Sequence, residues 1–410
     1  MFFKISHSKG YDILKSVCKK MFLMGYGNFW YENDNNSIGN DKNILYRIVS
    51  FLTFTTFGVM VSLEMMAALC GDFSGGEKAD SVILSVSHTI IVIKFYLMIL
   101  HKEKFKLLNE KMVKICEPYE DNEIQQKRLK VIKINVYGSA VAVYSAVFLF
   151  LMEGVQRVFR GSHYSTVITY YPSFDDNSLF ANIIRIFFTL VLIHFVICMS
   201  GLDALTVTHL IMYKYKFITL RKYFNSLKNE VIEIKESGNP KLAAIKLSKG
   251  LVEGIVMHKE MLRLIRDLED AFGVMIALQL FLCSGTIVAI MLQIALSDSI
   301  SLVGVAKMIL SISTLAMLLA LNICNAGDLL YEASLLSDAI FYCGWYEIPT
   351  LPPPHINHSK LVLVALIQAQ QPVIMKSFKM IEITYATYLK VGRITYSIFA
   401  VFYAQNKKSK

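Results

Sequence analysis

Residues 179–202 read LFANIIRIFFTLVLIHFVICMSGL, with Arg185 as the single formal charge. About 20 mostly apolar residues carry a helix across the hydrocarbon of a bilayer. This run meets that length, and it has company. Comparable runs cover 44–70, 81–100, 134–152, 272–296 and 303–323, and a weaker seventh ends near Ala404. Only 18% of the residues are charged and 54% are hydrophobic; soluble proteins are about a quarter charged. The alternating segments of a transmembrane β-barrel, about ten residues each, do not occur. The expected fold is therefore an all-α polytopic membrane protein with seven transmembrane helices.

Lysine and arginine orient it, because they accumulate in cytoplasmic connections. Segment 101–133 carries Lys102, Lys104, Lys106, Lys111, Lys114, Lys127, Arg128, Lys130 and Lys133, and segment 203–271 is similarly basic. The alternate connections are acidic or sparse: Asp72, Glu77 and Asp80 against Lys78, then Asp298 alone in 297–302. Segment 153–178 sets Arg157 and Arg160 against Glu153, Asp175 and Asp176. The pattern predicts a cytoplasmic N-terminus and an extracellular C-terminus, against the mild pull of the terminal NKKSK. This orientation excludes a G-protein-coupled receptor, whose N-terminus is outside. The net charge of +10 is then a topology signal spread over loops. It does not form the single basic patch of a nucleic-acid binder.

The first residues, MFFKISHSKGYDILKSVCKK, are broken by lysines, so no cleavable leader is expected and the first span serves as insertion signal. The seven cysteines form no CxxC and no paired extracellular framework, so no structural disulfide is expected. The acceptor patterns at Asn35 and Asn357 fall on the cytoplasmic side and read as unused. His355 and His358 lack companion ligands at metal spacing. HExxH, GxSxG and P-loop motifs are missing, so neither an enzyme nor a cofactor is expected.

Charges within spans need a reading of their own. Arg47 and Lys94 lie near the inner ends of their spans and Arg185 near an outer end, all within snorkelling reach of an interface. Glu64, His88 and His194 lie deeper. Each is read as a hydrogen bond within the bundle, with ligand contact as the sharper option, strongest for His88.

Beyond the spans, Leu251, Ile255, Leu262, Ile265, Leu268 and Phe272 recur at helical spacing, which predicts a helix over 242–272 that runs into the fifth span. Leu329, Leu330, Ala333, Leu336, Ala339, Ile340 and Cys343 extend the sixth span as an apolar face up to Pro349. KLVLVALIQAQQP, too short to span, reads as a helix ending at Pro372. These faces predict a helical cytoplasmic anchor domain. The final helix includes Lys390 and Arg393, as a helix bordering protein and a wet path would.

GDLLYEASLLSDAIFYCGWYEIP, then IQAQQPVIM, then KVGRITYSIFAVF resemble, in order and spacing, the C-terminal third of insect odorant receptors. The outer-loop YYPSFDD (170–176) resembles that family's Tyr-Pro loop, and Gln368 stands where the family usually has Arg. The resemblance implies an odorant-gated, non-selective cation channel at the plasma membrane of sensory neurons. In it a tuned subunit joins a co-receptor in a heterotetramer, in contact with lipid and permeating cations. The chain lacks the co-receptor's expanded loop between spans 4 and 5, so it resembles a tuned subunit. The implied organisation is 1–43 cytoplasmic segment, 44–323 six spans with the odorant pocket, 324–374 anchor, and 375–410 pore helix with a short tail. For a small volatile apolar ligand, the outer halves of spans 2, 3, 4 and 6 offer Leu84, His88, Tyr144, Phe148 and Phe187. For the pore and gate, the resemblance points to Val401, then Phe402, Tyr403, Ala404 and Gln405. For the subunit anchor it points to Leu336, Ile340, Trp345, Tyr346, Gln370 and Pro372. A gustatory-type channel subunit is the nearest alternative, because Thr395-Tyr396 followed by Gln405 is similar to that branch's ending at longer spacing. A small-molecule transporter is the alternative of a different class, although no repeat or broken helix supports it.

Overall fold

The computed structural model describes residues 9–32, 38–71, 75–159, 164, 166–173, 176–296, 302–348 and 357–409. Its helices are α1 (Lys9–Leu23), α2 (Ile44–Cys70), α3 (Gly75–Leu100), α4 (Lys102–Lys114), α5 (Asn122–Phe159), α6 (Leu179–Glu236), α7 (Pro240–Leu296), α8 (Leu302–Ser334), α9 (Leu336–Phe341), α10 (His358–Ala369) and α11 (Tyr385–Ser409). Six helical stretches are long and apolar enough to cross a membrane: α2, α3, α5, α6, α7, and α8 with its continuation. Helix α11, with Lys390 and Arg393 in its first half, falls short of that standard.

Helix length separates the membrane part from a second layer. Helix α6 has 58 residues, about 87 Å at 1.5 Å per residue, against roughly 30 Å of hydrocarbon. Helix α7 has 57. Their surplus lies on one side, because the turn that joins them is tight and includes Gly238 at φ +88°. Gly254 lets the two helices close together there. A Cβ at Gly254 would sit 2.4 Å from Phe224 Cζ.

Around this two-helix stem pack α1, α4, α9 and α10. Their buried faces supply Leu14, Cys18, Phe105, Leu108, Leu336, Ile340, Val362 and Ala365 to one continuous core. Within it Glu120 accepts from Arg128 Nη1 at 2.7 Å and from Lys216 Nζ at 2.7 Å, with all three side chains buried. Burial pushes the Glu120 carboxyl up, but the Lys216 charge and the Arg128 hydrogen bond outweigh it and hold it below the usual range.

Two expectations need correction. The apolar face after α8 does not run to Pro349, which lies outside the described residues. Helix α9 stops at Phe341, and Gly344 at φ +88° turns the chain into a 3-10 turn at Trp345–Glu347. Lys94 does not snorkel. It is buried, donating to Asp203 Oδ1 at 3.0 Å and Gln279 Oε1 at 2.5 Å, because α6 and α7 bring polar partners to it.

A short hairpin precedes α11. Lys376 pairs with Glu382 and Ser377 with Ile381, antiparallel. Ser377 Oγ donates to Gly273 O at 2.6 Å and the Lys376 N–H to Glu269 Oε1 at 2.7 Å. The hairpin is thereby tied to α7 just where the apolar run of α7 begins.

Candidate ligand site

An apolar cavity of about 180 Å³ lies between α3, α5, α6, α7 and α8. Helix α3 contributes Leu84, Ser87, His88 and Ile91; α5 contributes Val143, Ala146, Val147 and Phe150. Helix α6 adds Leu192, Phe195, Val196 and Met199, and α8 adds Ser311, Thr314, Leu315 and Leu318. Gln279, Leu282, Thr286 and Ile290 come from α7, the fifth span, which the sequence reading left out of the pocket.

Few polar groups face this space, and most are already engaged. Glu64, reaching from α2, holds His88 Nδ1 at 2.8 and 3.0 Å. Ser87 Oγ and Thr286 Oγ1 bond each other at 3.0 Å. Gln279 is held by Lys94, and Thr314 donates to Ala142 O at 3.2 Å. The buried hydroxyl of Ser311 has no partner among the described residues. At one end Leu84, Phe150 and Thr166 are shared with a smaller charged recess. There Lys307 Nζ bridges Glu153 at 2.7 Å and Asp80 at 3.3 Å, clasping α3, α5 and α8 together.

Leu84 and His88 thus lie on the cavity wall, whereas Tyr144, Phe148 and Phe187 do not: they face outward at 44%, 59% and 50% exposure. The cause is helix rotation. Helix α5 turns the stripe Val143, Ala146, Val147 and Phe150 inward, and its larger aromatics point to where lipid would solvate them. That stripe at i, i+3, i+4 and i+7 was the available signal, since mixed small and apolar residues at helical spacing mark a packed face. Phe188, beside Phe187, is the one turned inward. His194 stays off the cavity, its ring 5.5 Å from that of Phe57.

On α11, Val401, Phe402, Tyr403, Ala404 and Gln405 are all exposed in the single chain. Of the residues assigned to a subunit anchor, Leu336 and Ile340 are buried in the chain's own core and so are closed to a partner. Trp345 is half-buried, its Nε1 donating to Phe341 O at 3.0 Å; Tyr346, Gln370 and Pro372 are exposed. A second space of about 300 Å³ lies in the extramembrane layer, between Phe224, Ile255, His258, Leu262, Ile340 and Ala365. Burial pushes the His258 imidazole down to about 4.

Six long apolar helical stretches around a mainly apolar cavity define a multi-pass helical membrane protein. The sequence profile of the 7tm Odorant receptor family matches residues 74–396, and the chain belongs to that family. Odorant receptor 49a of Drosophila melanogaster is 28% identical over 148 residues, 36% of this chain and 35% of that protein. The chain therefore spans about a third of that relative's length. Two structures of the insect olfactory receptor OR5 from Machilis hrabei, one in complex with eugenol, match with TM-scores of 0.75 and 0.76 at 14% identity. Both alignments cover 96% of this chain and 98% of theirs, a likeness of fold.

Proposed function

We propose that the chain is the tuned subunit of an odorant-gated cation channel. A small apolar ligand binds in the cavity between α3, α5, α6, α7 and α8, and α11 lines a pore shared with a co-receptor. The observation that carries this is the apolar cavity with its few polar groups, in a chain of the odorant receptor family. The eugenol complex of a protein of the same fold supports a small-molecule ligand for this chain. Helix α10 supports assembly: Leu363, Val364 and Ile367 are exposed on a helix too short to span, which packs against α7 and α9 in the extramembrane layer. In this reading 1–43 and 324–374 are cytoplasmic, 44–323 holds six spans and the pocket, and 375–410 is the pore helix with an outer tail.

The test is an odorant panel on cells expressing the chain with and without a co-receptor, with current as readout. Ligand-evoked cation current with the co-receptor is expected, and Ala146→Phe, which fills the cavity, should abolish it at unchanged surface level. A tag within 220–240 should be reached only after permeabilisation and a tag after Lys410 without it. Flux without current, or labelling of the loop tag on intact cells, would overturn the reading.

A further inference from the structure

We infer that the cavity selects ligands by a hydrogen-bond-accepting oxygen, of the carbonyl class, because the Glu64–His88 pair presents its free ring nitrogen as a donor. This rests on the proposal that the cavity is the ligand site.

The argument is a proton count. Glu64 is fully buried and His88 nearly so, and both carboxyl oxygens lie within 3.0 Å of Nδ1. Three arrangements satisfy that contact. In the ion pair, the ring carries hydrogens on both nitrogens. In the neutral pair, the carboxylic acid donates to Nδ1, so the ring hydrogen sits on Nε2. In the third, a carboxylate accepts from the Nδ1–H of a neutral ring, leaving Nε2 bare and a net negative charge in an apolar wall. The third is disfavoured, because an uncompensated buried charge costs several kcal/mol. Lys94, the buried cation on the same helix as His88, is committed to Asp203 and Gln279 and cannot relieve it. Both remaining arrangements place a hydrogen on Nε2.

That nitrogen has no protein partner among the described residues, on a side chain that lines the cavity. A buried donor without an acceptor is costly, so a ligand oxygen that accepts from it is favoured over an alkane. An alcohol also accepts, but it brings an O–H of its own. Ser87, Thr286 and Thr314 are engaged and keep only lone pairs for that O–H, so an alcohol must reach a second point on the wall to satisfy it. A ketone, aldehyde or ester needs no such partner.

The experiment measures thermal stabilisation of the purified full-length chain by two matched sets: acetophenone, its secondary alcohol and ethylbenzene; and menthone, menthol and menthane. Within a set, the ketone should half-saturate at roughly tenfold lower concentration than the alkane, with the alcohol between. Glu64→Gln is the discriminating variant. Its amide can donate to Nδ1 or accept from it, so both ring tautomers become available and Nε2 can turn acceptor. The ketone-over-alcohol margin should then shrink several-fold while the alkane is unchanged. Should that variant not fold, the double change Glu64→Leu with His88→Leu removes the pair without orphaning a charge, and the ketone-over-alkane margin should vanish. A ketone no tighter than its alkane in the parent chain, including no binding by either, overturns the inference. So does Glu64→Gln shifting all three compounds equally, which is what a merely structural pair would give. If instead every compound binds the Ala146→Phe chain as well as the parent, the cavity is not the site, and the proposed function's pocket fails rather than the selectivity argument.

Discussion

Two of the lysines buried in this chain are held by partners that the fold brings from far along the sequence. Lys94 meets Asp203 and Gln279, 109 and 185 positions away, and Lys216 meets Glu120 across 96. A lysine near a span end looks free to snorkel when only its own helix is considered, which is why Lys94 was misread. The depth of Glu64 and His88 was legible, but their pairing across α2 and α3 was not. His258 shows how such placement sets a pH response. Its ring in the folded chain is held at about 4, below the roughly 6.5 of an unfolded histidine. Between those values the unfolded chain binds more protons, so folding stability rises with pH and is lost as pH falls from about 6.5 towards 4. We expect His258→Leu to flatten the acid side of the thermal-unfolding profile by up to about 3 kcal/mol. The check is unfolding temperature against pH in detergent for parent and variant; parallel curves would show that this ring does not contribute.

Elements were legible to the degree that one solvent dictates them. Of the seven expected spans, the six stronger ones fall within helices of the required length and the weaker seventh, on α11, falls short, because hydrocarbon tolerates no unpaired backbone and forces long uninterrupted helices. Helix rotation was only faintly legible: a span facing lipid on one side and protein on the other is apolar on both, and on α5 only the small Ala146 within its stripe set the inner face apart. Hence Tyr144, Phe148 and Phe187 were placed inward and Val143, Ala146 and Val147 overlooked. The hairpin at Lys376–Ser377 and Ile381–Glu382 escaped because two-residue strands have no periodicity to read. The Lys307 clasp is a consequence at this scale. Its side chain is buried between Asp80 and Glu153 at one end of the cavity, so it ties three helices where a guest would pass on the proposed orientation. Lys307→Met should lower stability by roughly 1–3 kcal/mol by leaving two part-buried carboxylates without it. It should also speed both onset and decay of ligand-evoked current, while Lys307→Arg should keep parental kinetics. Slower kinetics, or none changed, would place the path of the ligand elsewhere.

At the scale of the whole molecule, the last helix carries an apolar face that the single chain leaves uncovered. Leu389, Ile394, Ile398 and Val401 are all open on α11, which among the described residues falls short of the apolar length that marks the six spans. A helix with Lys390 and Arg393 in its first half and open apolar residues in its second suits a boundary between protein, lipid and water. Its base is fixed: Tyr385 Oη donates to Asp328 of α8, and the hairpin before it is bonded to α7. On the proposed function, movement of α7 and α8 would reach α11 through these contacts rather than through a slack linker. On the proposed assembly, Val401 forms an apolar ring that gates by excluding water, with Phe402, Tyr403, Ala404 and Gln405 beyond it. Its 56% exposure in the single chain leaves it free to face an axis. Val401→Cys, coexpressed with a co-receptor, should make ligand-opened current sensitive to a water-soluble thiol reagent. Modification should be at least several-fold slower without ligand, because a closed apolar ring keeps the reagent out. Cysteine at each of the next four positions locates the wettest face of the helix. If none of the five substitutions responds while a control cysteine in an outer loop is labelled, α11 does not line the pore.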